Sequence, residues 1–387
     1  MQQTLIVIPS VPMAYEDGVY FLDIKAVEGL RFYAEYWPGP ILCLFRQSDR
    51  SQIAYGKEYA ANDLPFSIDV ITDDVSKHQD ILDKGTLILA SADNHHDLKI
   101  RYSTRTKVVF IIEYTLATRL RIILIDHGVN FQALKSMIWT LKTEIKRRTA
   151  IRHAAGIQAN GTPAYNAYRR LNRNPMLYFD NRVHKSQQAT HGLIEEKISH
   201  LARQKPLRLA FSGRLERMKG ADHLVPVITA LDASGMDFSF DIFGDGSLFD
   251  KMRAEVGLAQ LADKVRFHGP VSFDDVLVPT LKHHIDLFVC CHRQADPSCT
   301  YIETLACGVP IIGYDNAAFA GVLGLGPVGE ATPMNKPKKL ANSISVMNSD
   351  RKSLANMAIS CVDVSINHSL EDTVLQRINH LKIIAQL

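Results

Sequence analysis

The chain contains no Asp-x-Asp, no Cys-x-x-Cys and no Gly-x-Ser-x-Gly. The first absence removes the carboxylate pair that commonly holds a divalent cation against a diphosphate, so no metal is expected. The second, with no Cys–His ligand spacing, speaks against structural zinc and a redox dithiol. The third removes the elbow of a serine hydrolase. No apolar run approaches the roughly 18 residues that a membrane span needs. The start, Met1-Gln2-Gln3-Thr4-Leu5-Ile6-Val7-Ile8-Pro9, lacks a basic lead-in and reads as a first core strand rather than a leader. Its six cysteines are scattered, as in a cytoplasmic protein with reduced thiols.

What is present is ordinary in bulk and uneven in charge. Apolar residues make up 46% and charged residues 22%, a soluble globular balance. A length of 387 residues favours two domains over one core. Between Lys99 and His153 there are twelve Lys and Arg against three Asp and Glu, whereas Asp222–Glu303 has six against thirteen. The basic front half either faces an anionic partner or is a solvated surface. Nucleic acid is not among the expected partners.

Short apolar runs recur along the chain: Leu5–Ile8, Ile41–Phe45, Ser67–Ile71, Leu87–Ala90, Val108–Ile112 and Gly156–Gln158 in the front half. Leu207–Phe211, Phe238–Ile242, Lys264–His268, Leu287–Cys290 and Pro310–Gly313 follow in the back half. Runs without alternation suit strands buried on both faces of a parallel sheet. The intervening segments are long enough for crossover helices. Two doubly wound α/β domains are therefore expected, spanning 1–190 and 191–368. The polar stretch His184–Gln204 marks the border, and a helical segment 369–387 returns to the first domain.

Two stretches carry the chemistry. Strand Leu207–Phe211 runs into Ser212-Gly213-Arg214, then Lys219-Gly220 and a helix from about Ala221. Open α/β sheets bind ligands at the carboxyl ends of their strands. There Gly213 admits close backbone approach, Arg214 offers a planar fork and Lys219 a point charge, a pair suited to diphosphate oxygens. The alternative is a plain turn with two surface cations. In the second stretch, strand Leu287–Cys290 leads through a loop to a helix holding Glu303. Backbone N–H groups of Ser298, Cys299, Thr300 and Tyr301 would open that helix and favour an anion. Glu303, one turn in, has the acceptor oxygens for two ribose hydroxyls. Gly308 then stops the helix before Pro310.

Together, Gly213-Arg214-Leu215-x3-Lys219-Gly220 and Glu303-x2-Ala306-Cys307-Gly308-Val309-Pro310 resemble the retaining GT-B glycosyltransferases of family 4. Phe243-Gly244-Asp245-Gly246 resembles that family's Gly-x-Gly loop, and Val265–Gly269 its element beside the nucleobase. The resemblance is firm over Leu207–Leu340 and weak in the front half. It implies a GT-B fold, with two facing Rossmann-like domains and a cleft between them. It also implies transfer of a hexosyl unit from a UDP- or GDP-type sugar to a hydroxyl acceptor, with no cofactor. By the same resemblance Arg214 and Lys219 hold the diphosphate, Glu303 the ribose, and main-chain groups of Gly269–Val271 the base. A nucleotide-sugar 2-epimerase or a non-catalytic sensor of such donors remains an alternative.

The chain departs from that family in one respect. The usual Glu-x7-Glu would place its first Glu at Ala295. The neighbouring Asp296 is expected to take the sugar contact, or else to cap the helix ahead of Pro297.

The front half should hold a glycan or lipid-linked acceptor, as in surface polysaccharide assembly. Gly18 stands where relatives carry a Gly-rich turn near the donor. His95, in Asp93-Asn94-His95-His96, and Glu113 are the candidates for the acceptor side, with plain surface roles as the alternative. Asn130–Arg148 reads as a basic amphipathic helix with a Phe131, Leu134, Ile138, Leu141, Ile145 stripe. It either meets an anionic membrane from the cytoplasmic side or buries its stripe on the sheet.

Overall fold

The computed structural model describes residues 3–387 apart from 54, 129, 204 and 296, and not the side chains of 126 and 127. Contacts within the chain gather into two units, one of 1–178 with 371–387, the other of 179–370. The border expected at 190/191 thus falls inside the second unit. The reason is local bonding: Asn181 Nδ2 donates to His368 O at 3.0 Å, and Leu370 N donates to Val183 O at 2.8 Å.

The first unit has strands β1 (Leu5–Val7), β2 (Ala14–Glu16), β3 (Val19–Asp23), β4 (Ile41–Phe45), β5 (Gly56–Ala60), β6 (Ser67–Val70), β7 (Leu87–Ser91), β8 (Lys107–Ile112), β9 (Gly156–Asn160) and β10 (Pro175–Tyr178). Seven form a parallel sheet in the order β10-β9-β8-β7-β1-β4-β6. Its centre is apolar on both faces: Ile6, Leu44, Ile88, Ala90, Phe110, Ile157 and Ala159 form a buried cluster on one, and Leu5, Val7, Cys43, Phe45, Leu87, Leu89 and Val109 are buried on the other. That burial is why these strands lack alternation. Helix Leu370–Ala385 belongs to this unit. Gln158 and Arg377 exchange hydrogen bonds of 2.9 Å, and Lys107 Nζ donates to Ile384 O at 2.8 Å.

A small antiparallel sheet, β2-β3-β5, was not legible in the sequence. Asp17 and Gly18 turn its first hairpin with φ of 51° and 83°, the left-handed pair of a tight two-residue loop. Gly18 is thus a hairpin residue.

The second unit has β11 (Leu207–Ser212), β12 (Phe238–Phe243), β13 (Val265–Gly269), β14 (Leu287–Cys290), β15 (Ile311–Tyr314) and β16 (Gly329–Thr332). They form a parallel sheet ordered β13-β12-β11-β14-β15-β16, the doubly wound arrangement. Strand order reverses between β11 and β14, the place at whose carboxyl ends open α/β sheets bind ligands. The helix expected from Ala221 begins with a 3-10 turn, Ala221–His223, and becomes α-helical at Leu224.

Candidate active site

Both motif stretches leave the sheet at this reversal. Strand β11 delivers Ser212, Gly213 and Arg214; β14 delivers Cys291 to Ser298 and then the helix Cys299–Ala306. The two loops are sewn together by their backbones. Gly220 adopts φ 69°, and a Cβ there would lie 1.9 Å from Cys291 O, so only glycine fits. Arg293 completes the seam: its N–H donates to Met218 O at 3.2 Å, Nη1 to Arg217 O at 3.1 Å, and Nη2 to Asp222 at 2.9 Å.

Lys219 ends the short turn Arg217–Lys219 inside this seam and is only 8% exposed. A buried ammonium on a fixed turn is a preorganised cation. Beside it is His292, fully buried, with Phe211 and Tyr301 around its ring at centroid distances of 6.4 and 5.7 Å. Burial, and then the Lys219 charge, hold the His292 pKa well below its ordinary value. The ring is therefore neutral near pH 7. Neither of its nitrogens has a hydrogen-bond partner among the described residues, nor has Gln294 Oε1 or Thr304 Oγ1. Buried polar atoms left in this state are costly unless something else satisfies them. The His292 nitrogens, next to Lys219, are thus open to a polar ligand.

Arg214 is exposed on the outer side of the same loop. Its Nη2 lies 3.9 Å from Met218 Sδ. Glu216 next to it accepts from Ser247 N at 2.8 Å and Ser247 Oγ at 2.6 Å, which ties in the loop after β12. Those bonds, more than the Arg214 charge, hold the Glu216 carboxyl below its usual range. Gly213, Gly244 and Gly269 stand at the ends of β11, β12 and β13 and touch in sequence. Gly213 N donates to Phe243 O at 3.1 Å, and Gly244 N to Gly269 O at 2.8 Å. A Cβ on Gly244 would lie 2.1 Å from Gly213 O. Gly246 follows where Leu215 N meets Asp245 O at 2.9 Å. Val271 is half-buried just beyond β13.

Glu303 sits one turn into its helix and is 4% exposed. The helix cap is Ser298, whose side chain makes no capping bond. Asp296 itself lies outside the described residues. Cys299, Thr300 and Tyr301 form the first turn, as anticipated.

The residue that sequence reasoning missed is Arg182. Its Nε donates to Glu303 Oε1 at 2.9 Å and its Nη2 to Oε2 at 3.3 Å, a forked pair. The guanidinium lies 4.0 Å from the centre of the Phe273 ring, in the segment after β13. Burial is the largest single influence and works against the Arg182 charge, but the bond to Glu303, together with the charges of Glu303 and its neighbours, outweighs it and raises the pKa. Arg182 is carried by a strap that follows the helix. Cys299 Sγ lies 3.5 Å from Asp180 Oδ2 at one end, and Ala189 N donates to Ala306 O at 2.7 Å at the other. Gln187 Nε2 bonds Asp274 at 2.7 Å. No motif pointed to Arg182, because 121 residues separate it from Glu303.

In the first unit β7 adjoins β1, where that sheet's order reverses. His95 is exposed in the loop after β7, with His96 at 3.8 Å and Trp139 at 5.2 Å between ring centres. Burial and the His96 charge lower its pKa. Glu113 follows β8, and its backbone N–H donates to Asp93 Oδ2 at 2.7 Å. Arg119 pairs with the same Asp93 carboxylate. Burial raises the Asp93 pKa while the Arg119 charge opposes that rise.

Comparison with known proteins adds an independent line. The sequence profile of the glycosyl transferases group 1 family matches residues 194–360, which lie within the second unit. A 2-deoxystreptamine glucosyltransferase of Streptomyces kanamyceticus is 30% identical over 126 residues. That match takes in 32% of this chain and 30% of the relative. Among solved structures, Anabaena Alr3699/HepE in complex with UDP has a TM-score of 0.65 at 16% identity, with all of both chains covered. Sucrose-phosphate synthase from Thermosynechococcus elongatus has a TM-score of 0.64 at 12% identity, again over all of both chains. The lipopolysaccharide outer core galactosyltransferase WaaB, in its apo form, has a TM-score of 0.60 at 12% identity over the full length of both. At such identities the likeness speaks for the fold: two doubly wound, Rossmann-like α/β domains of the GT-B type.

Proposed function

We propose that this protein is a glycosyltransferase that moves a hexosyl unit from a nucleotide diphosphate sugar to a hydroxyl acceptor with retained anomeric configuration. The observation that carries the reading is the seam of the β11 and β14 loops. It fixes a buried ammonium, Lys219, on the β11 loop, and the β14 loop leads on to the helix that carries a buried carboxylate, Glu303. The group 1 profile over 194–360 supports it. Lys219 and Arg214 receive the diphosphate, and Glu303 binds the ribose hydroxyls through the acceptor capacity that its fork with Arg182 leaves over. A carboxylate has about four lone-pair sites, and the fork uses two. Main-chain groups of Gly269–Val271 meet the base, and Asp296 the sugar.

In the reaction the bond from the anomeric carbon to the leaving phosphate oxygen breaks. The acceptor oxygen bonds to the same face of that carbon, and its proton passes to the departing phosphate. Negative charge grows on that phosphate, so cations already in place lower the barrier. No metal is assigned a part. Two similar structures of HepE were solved with UDP and with UDP-glucose, which makes a uridine donor the first to try.

The acceptor is a glycan or lipid-linked saccharide in surface polysaccharide assembly, with His95 and Glu113 on its side. Gly18, in its hairpin, is a backbone element of that half. No described helix is long and apolar enough to cross a membrane. Peripheral contact with an anionic membrane, on the cytoplasmic face, runs through the helix at 130–148.

A thermal-shift panel of UDP, GDP, ADP and their sugars tests the reading. A ligand at about 100 times its Kd stabilises the native state by about 2.7 kcal/mol. The expected result is stabilisation by one nucleotide and its sugar, with slow release of nucleoside diphosphate. Isomerisation at C2 would make the protein an epimerase, and stabilisation without release a sensor. No stabilisation by any of them would remove the donor site.

A further inference from the structure

Helix Phe131–His153 is inside out. Its stripe of Phe131, Leu134, Ile138, Leu141 and Ile145 does not pack on the sheet. All five are exposed, Phe131 at 82% and Ile145 at 69%, and so is Trp139. The buried face holds Ala133, Ala150 and Ile151 and, between them, Thr140, Thr143, Glu144 and Arg147, the last two only 3% and 2% exposed. This orientation is fixed by a satisfied polar network. Glu144 accepts from Arg147 at 2.7 Å, from Arg148 at 3.0 Å and from Tyr168 Oη at 3.0 Å. Arg147 Nε donates to Ala92 O at 2.8 Å. Rotating the helix to bury the stripe would break the bonds to Tyr168 and Ala92, which lie outside it. An apolar patch held outward in this way marks an interaction surface.

Beside the patch, between this helix and Leu116–His127, runs a groove of about 690 Å³. Ile122, Ile123 and Trp139 give it apolar walls, Lys135 and Ser136 lie along the second helix, and Arg119 also lines it. Arg119 is paired with Asp93, so among the described residues Lys135 is the cation of the groove with no ion pair. Lys142, Lys146 and Arg148 are exposed on the same helix, whose single acidic residue is the buried Glu144. A second copy of this chain would set these cations against one another. The charge matches an anionic surface with an apolar interior.

We propose that this face docks on an anionic bilayer, and that the groove takes one acyl chain of a bilayer lipid, with the lipid phosphate against Lys135. Trp139 lies between chain and headgroup, a level that suits its amphipathic ring. Its contact with His95 carries the groove toward the loop after β7. A lipid-linked acceptor would therefore be held by its chain with its saccharide near that loop. The inference rests on the membrane contact proposed above and needs no donor binding.

Trp139 reports on it directly, because the other tryptophan, Trp37, is buried. The probe is a phosphatidylglycerol–phosphatidylcholine vesicle whose acyl chains carry bromine, at low salt. The protein is expected to float with these vesicles and not with phosphatidylcholine alone. Tryptophan emission should shift blue and be quenched by the brominated chains, and Trp139→Phe should abolish the quenching. Lys135→Glu with Lys142→Glu should weaken binding about 30-fold or more, at about 1 kcal/mol per removed cation. Ser136→Phe, which fills the groove, should keep flotation and lose quenching. Flotation with Trp139 unquenched in the unaltered protein overturns the groove and leaves the membrane contact standing. No flotation overturns both, while the UDP thermal shift reports on the donor site separately. Quenching by a monomeric brominated lysolipid without flotation would assign the groove to free lipid and overturn the bilayer proposal. So would a lipid-free dimer, seen by light scattering, that buries Trp139.

Discussion

Lys219→Ala is expected to lower sugar transfer by about 10²- to 10³-fold, with the fold retained. Charge develops on the leaving phosphate only as the glycosidic bond breaks, so the loss should fall mainly on kcat and less on KM. Lys219 is fit for this role because its position is imposed. Gly220 behind it is left-handed and pressed on Cys291 O, and Arg293 bridges the two loops. The ammonium therefore needs little reorganisation as the reaction proceeds. Lys219→Arg keeps the charge but changes its shape, and partial activity is expected. Circular dichroism and urea unfolding check that the alanine variant is folded. Turnover near that of the unaltered protein would remove the phosphate assignment.

Arg182→Ala is expected to weaken nucleotide binding by about 10- to 100-fold. Removing one partner of a buried charged pair leaves the other charge uncompensated. Arg182 is itself partly exposed, which places the effect below that of a fully buried pair. The Glu303 carboxylate would lose both its charge partner and its fixed orientation, so the loss should be felt at the ribose. Calorimetry with UDP and with 2′-deoxy-UDP separates this from general damage. Loss of the 2′-hydroxyl should cost much affinity in the unaltered protein and little in Arg182→Ala, as in a double-mutant cycle. Arg182→Lys restores charge without the fork and should fall between. Equal weakening for both nucleotides would reduce Arg182 to a structural residue, and unchanged UDP affinity would make its pair with Glu303 incidental.

The doubly wound sheets were legible because their central strands are short apolar runs buried on both faces, as in Leu207–Phe211 and Leu287–Cys290. Where a strand is partly exposed that signal vanishes. β5 reads Gly-Lys-Glu-Tyr-Ala and β16 reads Gly-Glu-Ala-Thr, and neither was seen. The motif stretches put Arg214 and Lys219 on the loop after β11 and Glu303 on the helix after β14, since turn glycines and helix starts are local features. Arg182 was illegible for the opposite reason: its role exists only through the strap that folds back along Cys299–Ala306. Helical periodicity gave the two faces of the segment at 130–148 but not which one turns inward. That choice is made by Glu144, Arg147 and Tyr168, and Tyr168 lies outside the helix. The polar stretch from His184 resembled a linker because polar residues serve straps and linkers alike.

The central claim is that one nucleotide diphosphate engages Arg214, Lys219 and Glu303 at once. A crystal structure of the protein with the nucleotide found by the thermal-shift panel measures this directly. The prediction is hydrogen-bond distances from the diphosphate oxygens to Lys219 Nζ and the Arg214 guanidinium, and from the ribose hydroxyls to the Glu303 carboxylate. A nucleotide bound elsewhere, or one that leaves Lys219 and Glu303 both untouched, would contradict the account.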